Sequence, residues 1–321
     1  MVSLKIGIIG SGFAALRIYK IIKKLNQKSN INIYSKKIRK IKIDNKIIQT
    51  LNHKQFYKKL NEDVFFIANN TADHFKFLSY VIKKNKPIYI EKPLCSSKSE
   101  LKLIKKYLLN FKKKLCVGYQ FRENDCLKFI KKKIISDRNN IISIICYSGE
   151  NVKKYHENEN YLNSYTVSKK KGGGVILTQS HQIDYLNYLF DGIKVKKGFI
   201  SNRNKILKLK TDVETNVSYI CETYDKIPII SNINFFGIKK NFLIIFFRNK
   251  IIEWYNEKNL VKIQNNNGKI KKFFFIQTRE SMFVSRIKNF LDNFNLKNTK
   301  KENDEIITNM ENINNLKTII R

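Results

Sequence analysis

The sequence predicts an α/β domain built on a parallel sheet, followed by an α+β domain with a large, mostly antiparallel sheet. Two observations carry this. Up to about residue 120, short apolar runs alternate with segments of helical spacing, the pattern of strand–helix–strand crossovers. From Lys196 onward, apolar runs follow one another through tight connections, and such strands pair antiparallel. At 321 residues the chain is long enough for both domains to have cores.

In order, Leu4–Gly10 is an apolar run ending at glycine and reads as a buried parallel strand. Phe13 to Leu25 puts Leu16, Tyr19, Ile22 and Leu25 on one side of a helix. Ile31–Tyr34 and Val64–Ala68 are the next strands, and a helix over Asp73–Lys84 precedes the strand Pro87–Glu91. Leu115–Tyr119 closes the unit, which sets the domains at 1–120 and 121–321. A helix over Asn124–Ile135 then leads to a strand at Ile141–Tyr147. Tyr155–Lys171 is polar, Tyr-rich and without periodicity, and Gly172–Gly174 opens a helix through Phe190. Strands are expected at Lys196–Ser201, Val213–Cys221, Ile227–Phe236, Phe242–Phe247, Ile251–Tyr255, Leu260–Ile263 and Ile270–Ile276. The last is entered through the turn Asn265–Gly268. Helices over Glu280–Phe294 and Lys301–Ile320 end the chain.

The net charge of +37 would point to nucleic acid or an anionic membrane if the basic residues were gathered on one segment. They are spread over the whole chain. Lys, Ile and Asn are over-used together and share AT-rich codons, so genome composition accounts for all three. No nucleic-acid partner is expected. No apolar run reaches membrane-spanning length, and the N-terminus lacks the pattern of a signal peptide, so a cytoplasmic protein with no membrane partner is expected. The cysteines (Cys95, Cys116, Cys126, Cys146, Cys221) are odd in number with no Cys-x-x-Cys pair, and reduced thiols are expected.

Gly10-Ser11-Gly12-Phe13-Ala14-Ala15 is a Gly-x-Gly-x-x-Ala fingerprint between a strand and a helix. The first glycine makes the tight turn, the second lets a pyrophosphate approach the backbone, and the small third residue lets helix pack on strand. The phosphates then face free N–H groups at the positive end of the helix. An NAD site wants an acid at the end of the second strand for the ribose hydroxyls. Here Tyr34-Ser35-Lys36-Lys37-Ile38-Arg39 offers a hydroxyl and cations, which suits a 2′-phosphate. NADP is therefore preferred over NAD, although in so lysine-rich a chain any loop can show Lys-Lys. Downstream, Ile90-Glu91-Lys92-Pro93-Leu94 ends a strand, and Gly172-Gly173-Gly174 is followed by His181-Gln182-Ile183-Asp184. Spacing of three puts His181 and Asp184 on one helical face. No further cluster stands near them, so no metal is expected.

This ordered set, the glycine turn, Glu91-Lys92-Pro93 and the triple glycine with His181 and Asp184, resembles the Gfo/Idh/MocA family of nicotinamide-dependent oxidoreductases over nearly the whole chain. The resemblance implies a Rossmann domain for residues 1–120 and a substrate-binding and oligomerisation domain for 121–321. It implies cofactor contacts at Gly10, Gly12, Phe13, Ala14, Ser35 and Lys36. Ile67–His74 resembles the family's Ala-Thr-Pro-x-x-x-His segment under the nicotinamide, with Asn69-Asn70 in place of Thr-Pro, which adds Asn69, Asn70 and His74. His74 is alternatively an ordinary helix residue. Glu91 is expected on the cofactor side, and Lys92 beside the cofactor and on the reacting oxygen, as cofactor-binding, catalytic and substrate-binding group. The Lys92–Pro93 bond is expected in cis. The alternative for Lys92 is a surface lysine.

His181 is implied as proton shuttle, against the alternative of a satisfied core histidine. Asp184 either holds its imidazole or touches a substrate hydroxyl. Thr178 stands where many relatives carry an acid. Arg122, in Gln120-Phe121-Arg122, is expected to meet an anionic substrate. Tyr165, in a segment like those of relatives from surface-polysaccharide and nucleotide-sugar pathways, is expected to grip a sugar; a solvated loop is the alternative. The implied activity is NAD(P)-dependent oxidation or reduction of a hydroxyl or carbonyl on a sugar or nucleotide-sugar-like substrate. A catalytically inactive ligand-sensing regulator with the same fold is the other reading. The strands of Val213–Ile276 are apolar on more positions than one covered face requires, which points to a homodimer or homotetramer.

Overall fold

The computed structural model describes residues 3–43, 46–58, 61–154, 160–201, 204 and 208–319. The chain divides into two compact units, Met1–Tyr119 with Phe283–Ile306, and Gln120–Met282 with Ile307–Arg321.

The first unit runs β1 (Lys5–Ile9), α1 (Phe13–Leu25), β2 (Asn30–Ser35), β3 (Lys40–Ile43), β4 (Lys46–Gln49), β5 (Leu51–Asn52), α2 (His53–Lys58), β6 (Val64–Ile67), α3 (Thr71–Lys83), β7 (Ile88–Ile90), α4 (Lys98–Leu108) and β8 (Leu115–Val117). A six-stranded sheet in the order β5-β2-β1-β6-β7-β8 is parallel throughout. Ile6, Ile8, Val64 and Phe66 meet Ile18 and Ile22 of α1 in one buried cluster. β3 and β4 form a separate antiparallel hairpin. That hairpin, α2 and α4 are elements the sequence reading does not contain. α4 carried a legible signal: Ser97 accepts from the Glu100 backbone N–H at 3.3 Å, and the Glu100 carboxylate accepts from the Ser97 N–H at 3.0 Å. This is a capping box ahead of Leu101, Ile104 and Leu108.

Residues 283–306 lie with this unit for a packing reason. Phe283, Ile287 and Phe290 of α8 (Arg279–Asn293) enter the cluster formed by β1, β6 and α1. Phe290 meets Phe66 edge-on at 5.5 Å. Asn298 then closes the edge strand β8, accepting from the Leu115 N–H at 3.3 Å and donating to its carbonyl at 2.9 Å.

The second unit contains α5 (Asp125–Asp137), β9 (Ile141–Gly149), α6 (Val175–Thr178), α7 (His181–Phe190), β10 (Ile193–Ile200), β11 (Asn216–Thr223), β12 (Pro228–Asn234), β13 (Lys240–Phe247), β14 (Lys250–Tyr255), β15 (Leu260–Asn265) and β16 (Ile270–Phe274). The end of α9 (Lys300–Ile319) also belongs to it. Its eight-stranded sheet has the order β10-β11-β12-β9-β13-β14-β15-β16. All neighbours are antiparallel except β12 with β9. Strands alternate between a covered face (Ile144, Val217, Ile229, Leu243, Trp254) and an opposite one. On the opposite face Ile220, Ile230, Ile145 and Ile244 stand in register across four strands. The helix expected over 174–190 is two helices, broken at Gln179–Ser180. Tyr155, at the start of the polar stretch, lies outside the described residues. Among the described residues, no helix is long and apolar enough to cross a membrane.

Candidate active site

The glycine turn is shaped by close approach. Gly10 has φ +118°, and a Cβ there would stand 2.6 Å from the Ala68 carbonyl, so only glycine fits between β1 and β6. Gly12 is different: it is exposed, and a Cβ there would meet nothing within 4 Å, which leaves open space above the backbone. α1 starts at Phe13 with no acid in its first turn and no side-chain cap, and Phe13 is itself exposed. Ala14 and the buried Ala15 follow. Opposite, at the end of β6, both amide atoms of Asn69 are buried without a hydrogen-bond partner. Orphaned polar atoms are rare in a folded chain and call for an occupant or a water. An uncapped helix N-terminus, an open glycine and an orphaned amide fit a dinucleotide.

At the end of β2 the sequence-predicted ligands separate. Ser35 is buried, and its hydroxyl donates to the Lys37 carbonyl and meets the Thr50 hydroxyl at 2.8 Å. Lys36, Lys37 and Arg39 are exposed. Tyr34 donates to the buried Glu62, and burial holds its phenol well above the usual range.

The turn after β7 is held on both sides. The Glu91 N–H donates to the Ile67 carbonyl at 2.8 Å, and its carboxylate pairs with Arg17 of α1 at 3.0 Å. Lys92 is half-buried and Pro93 buried, and the bond between them is cis. His74 of α3 is buried, with Nδ1 at 2.8 Å from the Pro93 carbonyl and Nε2 at 3.1 Å from the Asn69 carbonyl. Burial holds its pKa below the ordinary value, against the pull of the two carbonyls. Neutral His74 donates to one of these carbonyls and packs against the other, so it sits between the two loops. Asn70 is exposed beside it, ahead of α3.

In the second unit, the glycine run is again steric. A Cβ on Gly173 would lie 2.2 Å from the Tyr165 carbonyl, and on Gly174, at φ +107°, 2.2 Å from the Glu214 carboxylate. Glu214, which sequence reading missed, accepts from the Ile176 N–H at 3.2 Å, and burial raises its pKa. His181 opens α7, nearly buried, with the Phe121 ring edge-on at 5.3 Å. Asp184 is fully buried, and Arg122 donates to it through Nε at 3.0 Å and Nη2 at 2.8 Å. Asn309 of α9 donates to the same carboxylate at 2.5 Å. From Asn309 the bonding continues through Asn187 to the Ile193 N–H at 2.8 Å, and Asn312 donates to the Ile193 carbonyl at 2.8 Å. Arg122 and Asp184 are thus brought together as a buried bidentate pair. Tyr165 is half-buried in a 3₁₀ turn. No group of three His, Cys, Asp or Glu side chains among the described residues could hold a metal ion.

The depressed His74 pKa sets a pH dependence with a definite sign. An unfolded histidine titrates near about 6.5, so below that pH the unfolded chain takes up a proton that folded His74 refuses. Stability from this residue is present at higher pH and lost as pH falls through that range. In urea unfolding, the loss between about pH 7.5 and about pH 5.5 should be smaller in His74→Gln than in the unsubstituted protein. An undiminished loss would contradict the assignment.

Comparison with known proteins bears on the first unit and on the fold. Residues 4–119 match the family model described as "Oxidoreductase family, NAD-binding Rossmann fold", GFO_IDH_MocA. No curated protein matches by sequence. Among solved structures, myo-inositol 2-dehydrogenase from Lactobacillus plantarum is similar with a TM-score of 0.75 at 16% identity, covering 99% of this chain and 97% of its own. KijD10, a 3-ketoreductase from Actinomadura kijaniata solved with TDP-benzene and NADP, gives 0.79 at 11% identity over 100% and 98%. A super-repressor mutant of Gal80p from Saccharomyces cerevisiae gives 0.74 at 15% over 99% and 95%. Residues 4–119 are thus similar to the NAD-binding Rossmann domain of the Gfo/Idh/MocA oxidoreductase family, and the solved structures share the fold of the whole chain.

Proposed function

We propose that the protein is an NAD(P)-dependent dehydrogenase or reductase acting on a CH–OH group, or the corresponding carbonyl, of a sugar or nucleotide-sugar-like substrate in the cytoplasm. The observation that carries this reading is Lys92, half-buried between two pinned residues in the same unit as the open glycine turn. Gly10, Gly12, Phe13 and Ala14 would receive the pyrophosphate, and Asn69 and Asn70 the ribose side. Bound there, a nicotinamide would exchange a hydride with the substrate carbon. Lys92 would hold the reacting oxygen and move its proton, and His181 would relay that proton. Asp184 acts on this chemistry by fixing α7 through Arg122 and Asn309. Such a pair leaves less of the Arg122 guanidinium for an anionic substrate than the sequence alone suggested. A sugar substrate is supported by the neighbouring inositol dehydrogenase and 3-ketoreductase. Tyr165 is proposed to meet it. The Gal80p likeness favours a second reading, a ligand-sensing regulator.

The cofactor preference rests on charge. With Ser35 turned inward, Lys36, Lys37 and Arg39 are exposed cations suited to a 2′-phosphate. NADPH should bind more tightly than NADH in fluorescence titrations, and Lys36→Glu should narrow or reverse the gap. Tighter NADH binding by the unsubstituted protein would remove this preference.

Assembly is proposed through the face carrying Ile220, Ile230, Ile145 and Ile244, buried against a second copy. Light scattering at micromolar concentration should give at least a dimer, and Ile230→Lys should shift it towards monomer. A monomeric unsubstituted protein would sink this part.

The catalytic assignment is tested by Lys92→Ala and His181→Ala, alone and together. Each should lower kcat by about 10²–10⁴-fold with cofactor affinity kept, and the double variant should fall by less than the product. Full activity in Lys92→Ala would remove the assignment. Cofactor binding without turnover across a broad sugar panel would favour the regulator.

A further inference from the structure

Four contacts converge on three residues. Ile90 and Glu91 are pinned along the backbone, because the Gly118 N–H donates to Ile90 at 2.7 Å and the Glu91 N–H donates to Ile67 at 2.8 Å. The Glu91 side chain is pinned by Arg17, and Pro93 is pinned by His74. Lys92 is the residue between.

Arg17 is itself held with little freedom. Its guanidinium lies over the Phe283 ring at 3.6 Å from the centroid, a cation–π stack. The Arg17 and Glu91 side chains are only 20% and 10% exposed, so their pair is less screened than one on the surface. The Arg17 Nε is buried and makes no hydrogen bond, a loss the structure tolerates to keep this placement. The other carboxylate oxygen of Glu91 faces Gly118, where an added Cβ would stand 3.3 Å from it. Glu91 is thus held by Arg17 through one oxygen, with its other oxygen beside a residue that carries no side chain, which gives it a structural task besides any contact with a cofactor. Across the turn, His74 lies between the carbonyls of Pro93 and Asn69, the residue with the orphaned amide, with one N–H to donate to either.

We propose that Arg17 and His74 are positioning residues for Lys92: Arg17 acts through Glu91 on one flank, and His74 acts through Pro93 on the other. The N-terminal parts of α1 and α3, the helices that follow the glycine turn and the Asn69 loop, thereby set where the Lys92 amine points. This rests on the reading of Lys92 as the proton-transfer group for its purpose, but not for its measurement.

The test reads the lysine directly. The protein is acetylated with limiting acetic anhydride, and the rate at Lys92 is compared by peptide mass spectrometry with that at exposed Lys98. In Arg17→Met the Lys92-to-Lys98 ratio should rise several-fold, as the freed amine samples solvent. Arg17→Lys keeps the charge without the fork and should restore only part of the difference. Arg17→Met combined with Glu91→Gln should be no worse than Arg17→Met alone, because both remove one interaction. Where a substrate is turned over, Arg17→Met should lower kcat by about 10²-fold with KM little changed, the effect of misplacement rather than of lost binding. Urea midpoints identify any variant that has merely lost its fold, and Arg17→Lys then carries the comparison. An unchanged ratio in folded Arg17→Met and Arg17→Lys overturns the proposal. A raised ratio in a protein with no turnover on any substrate upholds the clamp and counts against the enzymatic reading alone.

Discussion

The constraint on which both units turn is that a buried polar group must find a partner. Around β7 the partners are Arg17, Ile67, Gly118 and His74, and together they hold the residues on either side of Lys92. Around α7 the partners are Arg122 and three asparagines of α7 and α9, and together they fix the helix that begins with His181. Breaking such a pair by removing one member commonly costs about 3–5 kcal/mol, because the other charge stays buried and unpaired. The apolar core decides that the elements form. These polar contacts decide how the turns sit.

Much of the fold is legible in the sequence because period and composition are local. Lys5–Ile9, Val64–Ile67 and the strands from 193 to 274 read directly from apolar runs, and Phe13–Leu25 from helical spacing. The hairpin at 40–49 is not legible, since Lys and Ile interleave there in a chain where Lys-Ile pairs occur almost everywhere. The membership of residues 283–306 in the first unit is not legible either. Nothing in a helical period says which core its apolar face will join, and Phe290 meets Phe66 across more than 200 residues of chain.

The candidate site divides in the same way. Gly10, Gly12 and the Lys92–Pro93 turn announce themselves by residue type and order. The partners do not. Ser35 reads as a hydroxyl suited to a 2′-phosphate, and its contacts with Thr50 and the Lys37 carbonyl carry no sequence signal. Asp184 reads as a partner for His181 or for a substrate hydroxyl, and nothing in the sequence shows that Arg122 reaches it from the segment before α5. Arg17 sits two residues past the fingerprint and carries no signal, because its role depends on Glu91, 74 residues away. Glu214 and Asn309 are invisible for the same reason. The charge of +37 shows the converse: a loud compositional signal that no single segment concentrates.

The central claim is that the glycine turn, the Asn69 loop and the Lys92 turn form one cofactor platform in the first unit. Hydrogen exchange with and without saturating NADPH tests this without knowing the substrate. The account predicts slowed amide exchange in residues 10–17, 69–74 and 90–95 of the first unit. Protection spread over lysine-rich surface segments, with those three stretches unchanged, would contradict it.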